Sequence, residues 1–227
     1  TLSYTLSLHD ALPISLIQKV PNALNGEEQK PYYYPLKIGL LDESGEEIVA
    51  QTLIVSQERE VFTFKDVKSK PSISLNRDFS APIIIQKKEN DFAFLMKHDT
   101  NSFVRYESAQ VFATQTIESM MQGESINEEF VAAYGYLLDL DVDLSFKALL
   151  LELPSVSTLM QRQDVIDFDL IFEAKENLEK HIAKVHKEKL LELYLEFHNP
   201  LSSAIDSVNM AQRAIKNRCL KILSALG

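Results

Sequence analysis

The hydrophobic pattern of this chain changes its period once, within the stretch His98–Gln110. Before His98, apolar residues alternate with polar ones in short runs, which is the two-residue period of β-strands. After Gln110 they recur every three or four residues, which is the period of amphipathic helices. The pattern therefore predicts a β-rich half followed by a helical half.

The β-rich half contains six apolar runs separated by turn signals. They lie at residues 36–40, 48–55, 61–64, 73–75, 83–85 and 92–96. Residues 42–45 read Asp-Glu-Ser-Gly, a turn sequence, and Pro82 is expected at a strand start or a sheet edge because it lacks an N–H. Short strands at this spacing predict a small Ig-like antiparallel β-sandwich over residues 32–97.

Helices are predicted over most of residues 98–227, and polar residues that can cap a first turn stand before the apolar stripes. In chain order these residues are Asp99, Thr100 or Asn101, then Asn127, then Asp143 or Ser145, then Asp167. Gly123 is placed to end the first helix, and Pro154 to end the third. Helices joined by short loops favour an all-α array, the start of an α-superhelix.

The later helices carry clear apolar stripes. One stripe begins at Ile171 and shifts phase after Val185, so its helix either breaks near His186–Lys189 or changes its packing partner. The stripe of the last helix comprises Val208, Ala211, Ile215, Cys219, Ile222 and Leu226. In a truncated array, the end of this stripe would stay partly uncovered or would be covered by an earlier helix. Near-complete burial would argue against truncation.

Two segments at the start of the chain are expected to stand apart from the sandwich. Residues 1–14 resemble a translated sequencing-adapter remnant, so we expect an artefact that lies outside the fold. The alternative is a real strand, because Leu2, Tyr4, Leu6 and Leu8 alternate with mostly polar residues. Residues 15–31 are polar and rich in turn formers, and they are expected to form a linker.

The charge of the chain lies mainly in its helical half. The formal net charge is -10; residues 32–97 hold nine basic and ten acidic side chains, and residues 98–227 hold twelve and twenty. Such a chain should repel nucleic acid and anionic membranes, so we expect neither as a partner. The acidity indicates either an ordinary solvated surface or a groove that attracts cationic or free-amine ligands.

The cysteine content and the length of the apolar runs bear on the compartment. Cys219 is the single cysteine, so no internal disulfide can form, as is usual in a reducing compartment. No apolar run approaches the roughly 20 residues of a membrane span, and no signal peptide is present. We therefore expect a cytoplasmic protein.

Five strings of the chain point to a family. They are Lys30–Asp42, Asn76–Ile83, His98–Gln110, Leu149–Ser155 and Arg213–Leu220. Together, and in this order, they resemble the zinc aminopeptidases of the aminopeptidase N type, bacterial subgroup. Three positions depart from the family pattern. Asp78 stands where a small residue such as Gly is expected, Tyr106 where Trp is more usual, and Ser108 where Ala is common.

The resemblance implies a β-sandwich that follows a catalytic domain and precedes an α-superhelix. Enzymes of this family remove N-terminal residues from peptides, using zinc held by His-Glu-x-x-His and a further Glu. This chain contains no His-Glu-x-x-His. The metal ligands, the general base and the amine-binding residues are therefore expected upstream of it. We predict no catalytic, cofactor-binding or metal-binding residues here, and no activity of the chain alone.

Other residues with chemical potential have simpler interpretations. His181 and His186 are five apart, hence on different helix faces, and both are expected at the surface. The alternating aspartates of residues 139–143 lack the glycine and distal glutamate of a calcium loop, so we expect a capping loop. Cys219 lies on an apolar stripe and is expected to be a small core residue.

The predicted function is the non-catalytic spacer and cap of a zinc-dependent aminopeptidase. Its partners would be the missing catalytic domain of the same polypeptide and the peptide substrates of the parent enzyme. Within the His98–Gln110 stretch, His98, Arg105 and Glu107 are expected to pin the sheet to the first helix. The alternative is a stand-alone protein-interaction module without enzymatic activity. An upstream frame encoding His-Glu-x-x-His would favour the first function, and a start codon near Ser15 the second.

Overall fold

The structure, a computed structural model, describes residues 2–4, 11–22, 26–67, 69–87, 91–199 and 204–227. The chain divides into two compact units, Thr1–Arg105 and Tyr106–Gly227. The first unit contains two antiparallel sheets, and the second is helical. The predicted fold class, an Ig-like β-sandwich followed by an all-α array, is confirmed.

The sandwich is built from six strands among the described residues. They are β1 (Leu2–Tyr4), β2 (Ala11–Ile17), β3 (Tyr34–Leu41), β4 (Glu47–Val55), β5 (Arg59–Lys65) and β6 (Ser72–Leu75). One sheet has the order β1-β2-β5 and the other β4-β3-β6, with antiparallel neighbours throughout. Leu36, Ile38 and Leu40 of β3 alternate with other residues and join Leu12 and Ile14 of β2 in one core. The four predicted strands that became β3 to β6 are confirmed.

Strand β2 corrects our expectation for the start of the chain. Leu12 and Ile14 are both 0% exposed, and β2 pairs with β5 along its whole length. Residues 2–4 and 11–14, expected outside the fold, and residues 15–17, expected in a linker, are therefore part of paired strands. The apolar alternation at Leu12 and Ile14 carried this signal. The adapter origin of the segment stays a prediction, and residues 5–10 lie outside the described part of the chain.

The strand predicted at residues 92–96 is wrong, because this segment begins helix α1 (Phe92–His98). Its period-two pattern is real, but the segment contains no β-branched residue, and Ala, Leu and Met all favour a helix. The Leu95 N–H donates to the Asp91 carbonyl at 3.0 Å and closes the first turn.

The strand predicted at residues 83–85 is also wrong. No strand is present there. Ile83 and Ile85 pack against the sandwich core, whereas Ile84 is 94% exposed. The alternation therefore reports burial of one face without pairing to a sheet.

Seven further helices follow in the described residues. They are α2 (Ser102–Met121), α3 (Glu128–Asp139), α4 (Leu144–Leu150), α5 (Val156–Met160), α6 (Phe168–Val185), α7 (Lys187–Glu196) and α8 (Ser207–Leu223). Asn127, Asp143 and Asp167 accept first-turn N–H groups of α3, α4 and α6, which confirms these caps. Gly123, at φ +85°, follows the end of α2 as predicted. The five-residue helix α5 was not predicted.

The phase shift after Val185 marks a break. Helix α6 ends at Val185 and α7 begins at Lys187, with His186 between them at φ -105° and ψ 21°. This is one of the two outcomes that the sequence allowed. Val185 itself, predicted to face inward, is 51% exposed.

Helix α8 is covered by earlier helices of the second unit. It packs on α4, α6 and α7, so Cys219 is 0% and Ile222 6% exposed, while Leu226 is half-buried. Cover by earlier helices is one of the two arrangements that we expected. Val208, predicted on the buried stripe, is 62% exposed. None of the helices that the structure describes is long and apolar enough to cross a lipid bilayer.

Candidate functional site

A group of buried polar side chains surrounds Arg77 in the first unit. We call Arg77, Ser74, Glu47 and Asp99 the Arg77 cluster. Arg77 Nε donates to Ser74 Oγ at 2.8 Å, its Nη2 donates to Asp99 Oδ1 at 3.4 Å, and its Nη1 pairs with Glu47. Arg77 is 8% exposed and Asp99 0%. A buried cation is thus matched by a buried anion and a more exposed one, as burial of charge requires.

Gly39 of β3 makes the room that the guanidinium occupies. A Cβ added to Gly39 would lie 2.2 Å from Arg77 Cζ, far inside van der Waals contact. The guanidinium therefore lies directly against the strand backbone, and a side chain at residue 39 would displace it.

Asn101 links the turn that contains Arg77 to the first turn of α2. Its Oδ1 accepts the Val104 N–H at 3.2 Å, which caps α2, and its Nδ2 donates to Asp78 Oδ1 at 2.7 Å. Asp78 also pairs with Lys37 Nζ at 2.8 Å. Hydrogen bonds from Lys37 and then Asn101 hold the pKa of the Asp78 carboxyl below its usual value. Asp78 lies at φ 55° and ψ 26°, a left-handed conformation, which explains why a glycine was expected there.

The side chains of the Arg77 cluster bond to one another and to nearby backbone, as residues that hold a fold in place do. The Arg77 guanidinium is engaged by Ser74 and two carboxylates, and Asp99 Oδ1 also accepts the Asn101 N–H at 2.9 Å. The cluster contains no activated nucleophile. Throughout the part of the chain that the structure describes, no group of three His, Cys, Asp or Glu side chains could hold a metal ion.

His98 is a packing residue at the end of α1. Its ring stacks on Phe94 with centroids 4.6 Å apart, and a Cβ added to Gly45 would lie 2.7 Å from the His98 Cβ. Burial lowers the pKa of the His98 imidazole, and the positive charges of Lys97 and Arg105 lower it further. The fold therefore disfavours the protonated form of this imidazole.

The residues that join sheet and helix in the first unit are only partly those that we expected: His98 packs against the turn at Gly45. Arg105 is 9% exposed and its Nη2 donates to the Lys97 carbonyl at 3.4 Å, but Glu107 is exposed. The sandwich contributes the bond that Arg77 donates to Asp99 and the bond that Asp78 accepts from Asn101. Two signals for this were present in the sequence: a glycine inside a strand, and the Arg-Asp-Phe-Ser-Ala-Pro string.

The two helical histidines have different surroundings. Both histidines are half-buried, contrary to our expectation of surface positions. His186 lies against α3. Its Nε2 lies 2.9 Å from the Val131 carbonyl oxygen, and its ring fills the space over Gly135. The His181 Nε2 lies 3.0 Å from Glu128 Oε1, an ion-pair distance without hydrogen-bond geometry. Among the residues that the structure describes, neither histidine belongs to a group of potential metal ligands.

The aspartate loop and the cysteine have the predicted structural roles. Asp143 accepts the Phe146 N–H at 2.9 Å and caps α4, and Asp139 pairs with Lys189 at 2.7 Å. Cys219 is fully buried, and burial raises the pKa of its thiol to about 11. The thiol is therefore not a nucleophile at neutral pH.

An open groove of about 440 Å³ lies between α4 and α8 in the second unit. Two of the charged side chains that line it, Arg218 and Glu152, are already engaged. Arg218 Nε donates to the Ala148 carbonyl at 3.1 Å, and its Nη2 lies 3.0 Å from Glu152 Oε2. Nothing in the groove favours a particular ligand.

The fold and its polar groups define a class of protein: a β-sandwich module followed by a helical array. Its buried polar residues hold neighbouring segments of the chain in place. Comparison with known proteins gives the family. A model described as "Domain of unknown function (DUF3458) Ig-like fold" matches residues 3–88. A second, "Domain of unknown function (DUF3458_C) ARM repeats", matches residues 89–227. The chain belongs to this DUF3458 family.

The relatives of the chain are aminopeptidases. Aminopeptidase N of Escherichia coli (strain K12) is 28% identical over 228 residues, covering 93% of this chain and 26% of the relative. Aminopeptidase N of Caulobacter vibrioides is 30% identical over 196 residues, covering 83% and 23%. The chain thus spans about a quarter of the length of the curated relatives it matches, in their C-terminal region.

A solved structure shows the same fold. Legionella pneumophila aminopeptidase A, crystallised in complex with aspartic acid, superposes with a TM-score of 0.83 at 27% identity. The match covers 99% of this chain and 27% of that one. The family resemblance seen in the sequence is confirmed.

Proposed function

We propose that this chain is the spacer and cap of a zinc-dependent aminopeptidase. The observation that carries the proposal is the match to the C-terminal region of aminopeptidase N over 93% of the chain. In this proposal, the sandwich sets the distance from the catalytic domain, and the helical array restricts access to the cleft. Zinc and the peptide-binding residues belong to the catalytic domain of the same polypeptide.

The ion pairs and the buried cysteine of the chain support a non-catalytic role. In the first unit, described ion pairs join Lys37 to Asp78 and Arg77 to Glu47 and Asp99, and the cysteine thiol of the second unit is buried. Paired charges and a buried thiol stabilise a fold, and they do not activate a nucleophile or a substrate bond. The single buried cysteine also supports our proposal of a reducing, cytoplasmic setting.

A chimera tests the proposal. In the enzyme of Escherichia coli, the matching stretch is replaced by this chain, and hydrolysis of amino-acid anilides and of peptides of increasing length is measured. We expect a folded, zinc-loaded chimera that cleaves anilides and short peptides and discriminates against long ones. The unmodified enzyme is the control.

Two results would contradict the proposal. Zinc-dependent hydrolysis by this chain alone would place an active site within it. A chimera with native circular dichroism and full zinc content but no turnover would refute the spacer and cap role. It would favour a stand-alone interaction module instead.

A further inference from the structure

The outer strands of the two sheets differ in how their free edges are protected. The outer strands are β1, β5, β4 and β6. Strand β1 has three residues and β6 has four, whereas β5 carries Arg59, Glu60 and Lys65. Shortness and charge are two means by which natural sheets prevent edge-to-edge pairing. Strand β4 uses neither, because it has nine residues and contains no charge or proline between Ile48 and Val55.

The second edge of β4 has no partner among the described residues. Strand β3 is its neighbour on one side. On the other side, no described turn, loop or side chain bonds to the backbone of residues 48–55. Two apolar side chains of the strand, Ile48 and Ile54, are 38% and 44% exposed. A long, uncharged and partly apolar edge of this kind is a template for a further strand.

The sequence of β4 is complementary to itself. If two copies pair antiparallel about a twofold axis at Gln51, the large apolar residues lie opposite large apolar residues and the two small residues lie opposite each other. The opposed pairs are Gln51 with Gln51, Ala50 with Thr52, Val49 with Leu53, and Ile48 with Ile54. Each exposed isoleucine is then covered by an isoleucine of the other copy. No charged residue meets another in these pairs.

The charge distribution of the chain permits this approach. The net charge of -10 would oppose association of two copies if it were spread evenly. Residues 32–97, which contain β4, hold nine basic and ten acidic side chains and are therefore nearly neutral. Repulsion from the more acidic second unit is long-range, and salt screens it.

We propose that a second copy of this chain pairs with the free edge of β4, antiparallel and centred on Gln51. The pairing joins two three-stranded sheets into one of six strands, and its twofold symmetry closes the assembly at two copies. Self-complementarity is what identifies a copy of this chain as the occupant. One strand pair is a small interface, so we expect a dissociation constant of roughly micromolar to millimolar size. The inference does not depend on the proposed function.

Sedimentation velocity over a concentration series tests the association. The mass of the wild-type chain should rise from 25.8 kDa towards twice that value. Thr52→Lys places a charge beside the axis on each copy and should weaken association by about tenfold or more. Val61→Lys is the matched control, since Val61 is a 60% exposed strand residue on β5, and it should associate like wild type. A chain that stays monomeric, or a Thr52→Lys variant that associates as well as wild type, would overturn the proposal.

Disulfide trapping tests the register. In the proposed pairing Gln51 lies opposite itself, so Gln51→Cys should form a cross-linked dimer under mild oxidation, whereas Ala50→Cys should not. The native Cys219 is buried and contributes no background. Equal cross-linking of the two variants would refute the register. If the pure chain does not associate but a different protein protects β4 from amide exchange, the occupant is not a second copy.

Discussion

Replacing Gly39 with alanine should break the Arg77 cluster without changing any of its polar groups. Gly39 lies within β3 and is paired on both sides, with Ala50 of β4 and Ser74 of β6. A Gly→Ala change compatible with the backbone ordinarily stabilises a protein by about 0.4–1 kcal/mol. Here the new Cβ would lie 2.2 Å from Arg77 Cζ, so the guanidinium must leave. The expected sign is therefore reversed.

The magnitude follows from the contacts that are lost. The hydrogen bond from Arg77 to Ser74 contributes about 1 kcal/mol. Removing the cation from the fully buried Asp99 costs about 3–5 kcal/mol, and the remaining bond from the Asn101 N–H places Asp99 at the lower end. Glu47 is more exposed and adds little. After subtraction of the alanine gain, we expect a loss of about 3 kcal/mol.

The assay must report on the first unit alone, because the chain has two compact units. Hydrogen–deuterium exchange across a urea series, followed in peptides from β3 and β6, gives this local free energy of unfolding. The double variant Gly39→Ala with Arg77→Met should cost no more than either single change, since both remove the same contacts. Ser74→Ala, the control, removes one hydrogen bond and should cost about 1 kcal/mol.

Two outcomes would refute this reasoning. A Gly39→Ala variant as stable as wild type would show that the guanidinium moves without loss. Full additivity in the double variant would show that the alanine acts elsewhere than on Arg77.

Three further changes test other contacts. The stability of the first unit should fall as the pH drops below about 6.5, because the pKa of His98 is lower in the folded state and protonation favours unfolding. Urea midpoints measured across this pH range test the prediction, and the His98→Gln variant should lose this pH dependence. Asp78→Ala should lower the thermal midpoint more than Asp78→Gly, since both lose the same bonds but glycine adopts φ 55° freely; equal shifts would contradict the left-handed conformation. Gly135→Ala places a Cβ 2.4 Å from His186 Cε1 and should lower the free energy of unfolding by about 1–3 kcal/mol, measured by circular dichroism. The double variant Gly135→Ala, His186→Ala should recover part of this loss. An unchanged midpoint would count against that packing.

Local signals explain what could be predicted from the sequence. Asn127, Asp143 and Asp167 were recognised as caps because each bonds to an N–H two or three residues away. The break at His186 was visible as a phase shift of the apolar stripe. Strand β3 was visible because one of its faces is core. For the caps, the determining contact lies within a few residues of the signal; for β3 the signal is the alternation itself, although its core partners in β2 are distant.

The errors arose where local pattern and tertiary context compete. Over five residues, positions i, i+2 and i+4 satisfy a strand period and also place i and i+4 on one helix face, so residues 92–96 were ambiguous. For residues 83–85, one buried face was mistaken for strand pairing. At the start of the chain, the alternative of a real strand was correct for Leu2–Tyr4, which is β1, but the resemblance to an adapter sequence outweighed it.

The Arg77 cluster could be located in the sequence but not assembled from it. Arg77 lies 30 residues from Glu47 and 22 from Asp99. No periodicity connects these positions, because a sheet and a helix start bring them together. The family strings marked the neighbourhood, and they led us to assign the joining role to His98, Arg105 and Glu107, without Arg77 and Asp78.

Gly39 and Gly135 each leave space that a distant ring or guanidinium fills, and this has an evolutionary consequence. Residue 39 is coupled to Arg77, and residue 135 to His186, so selection acts on the two members of each pair together. A lineage that acquires a side chain at either glycine must shorten or redirect the facing residue, before or afterwards. Among homologous sequences, the two members of each pair should therefore change together, although dozens of positions separate them along the chain.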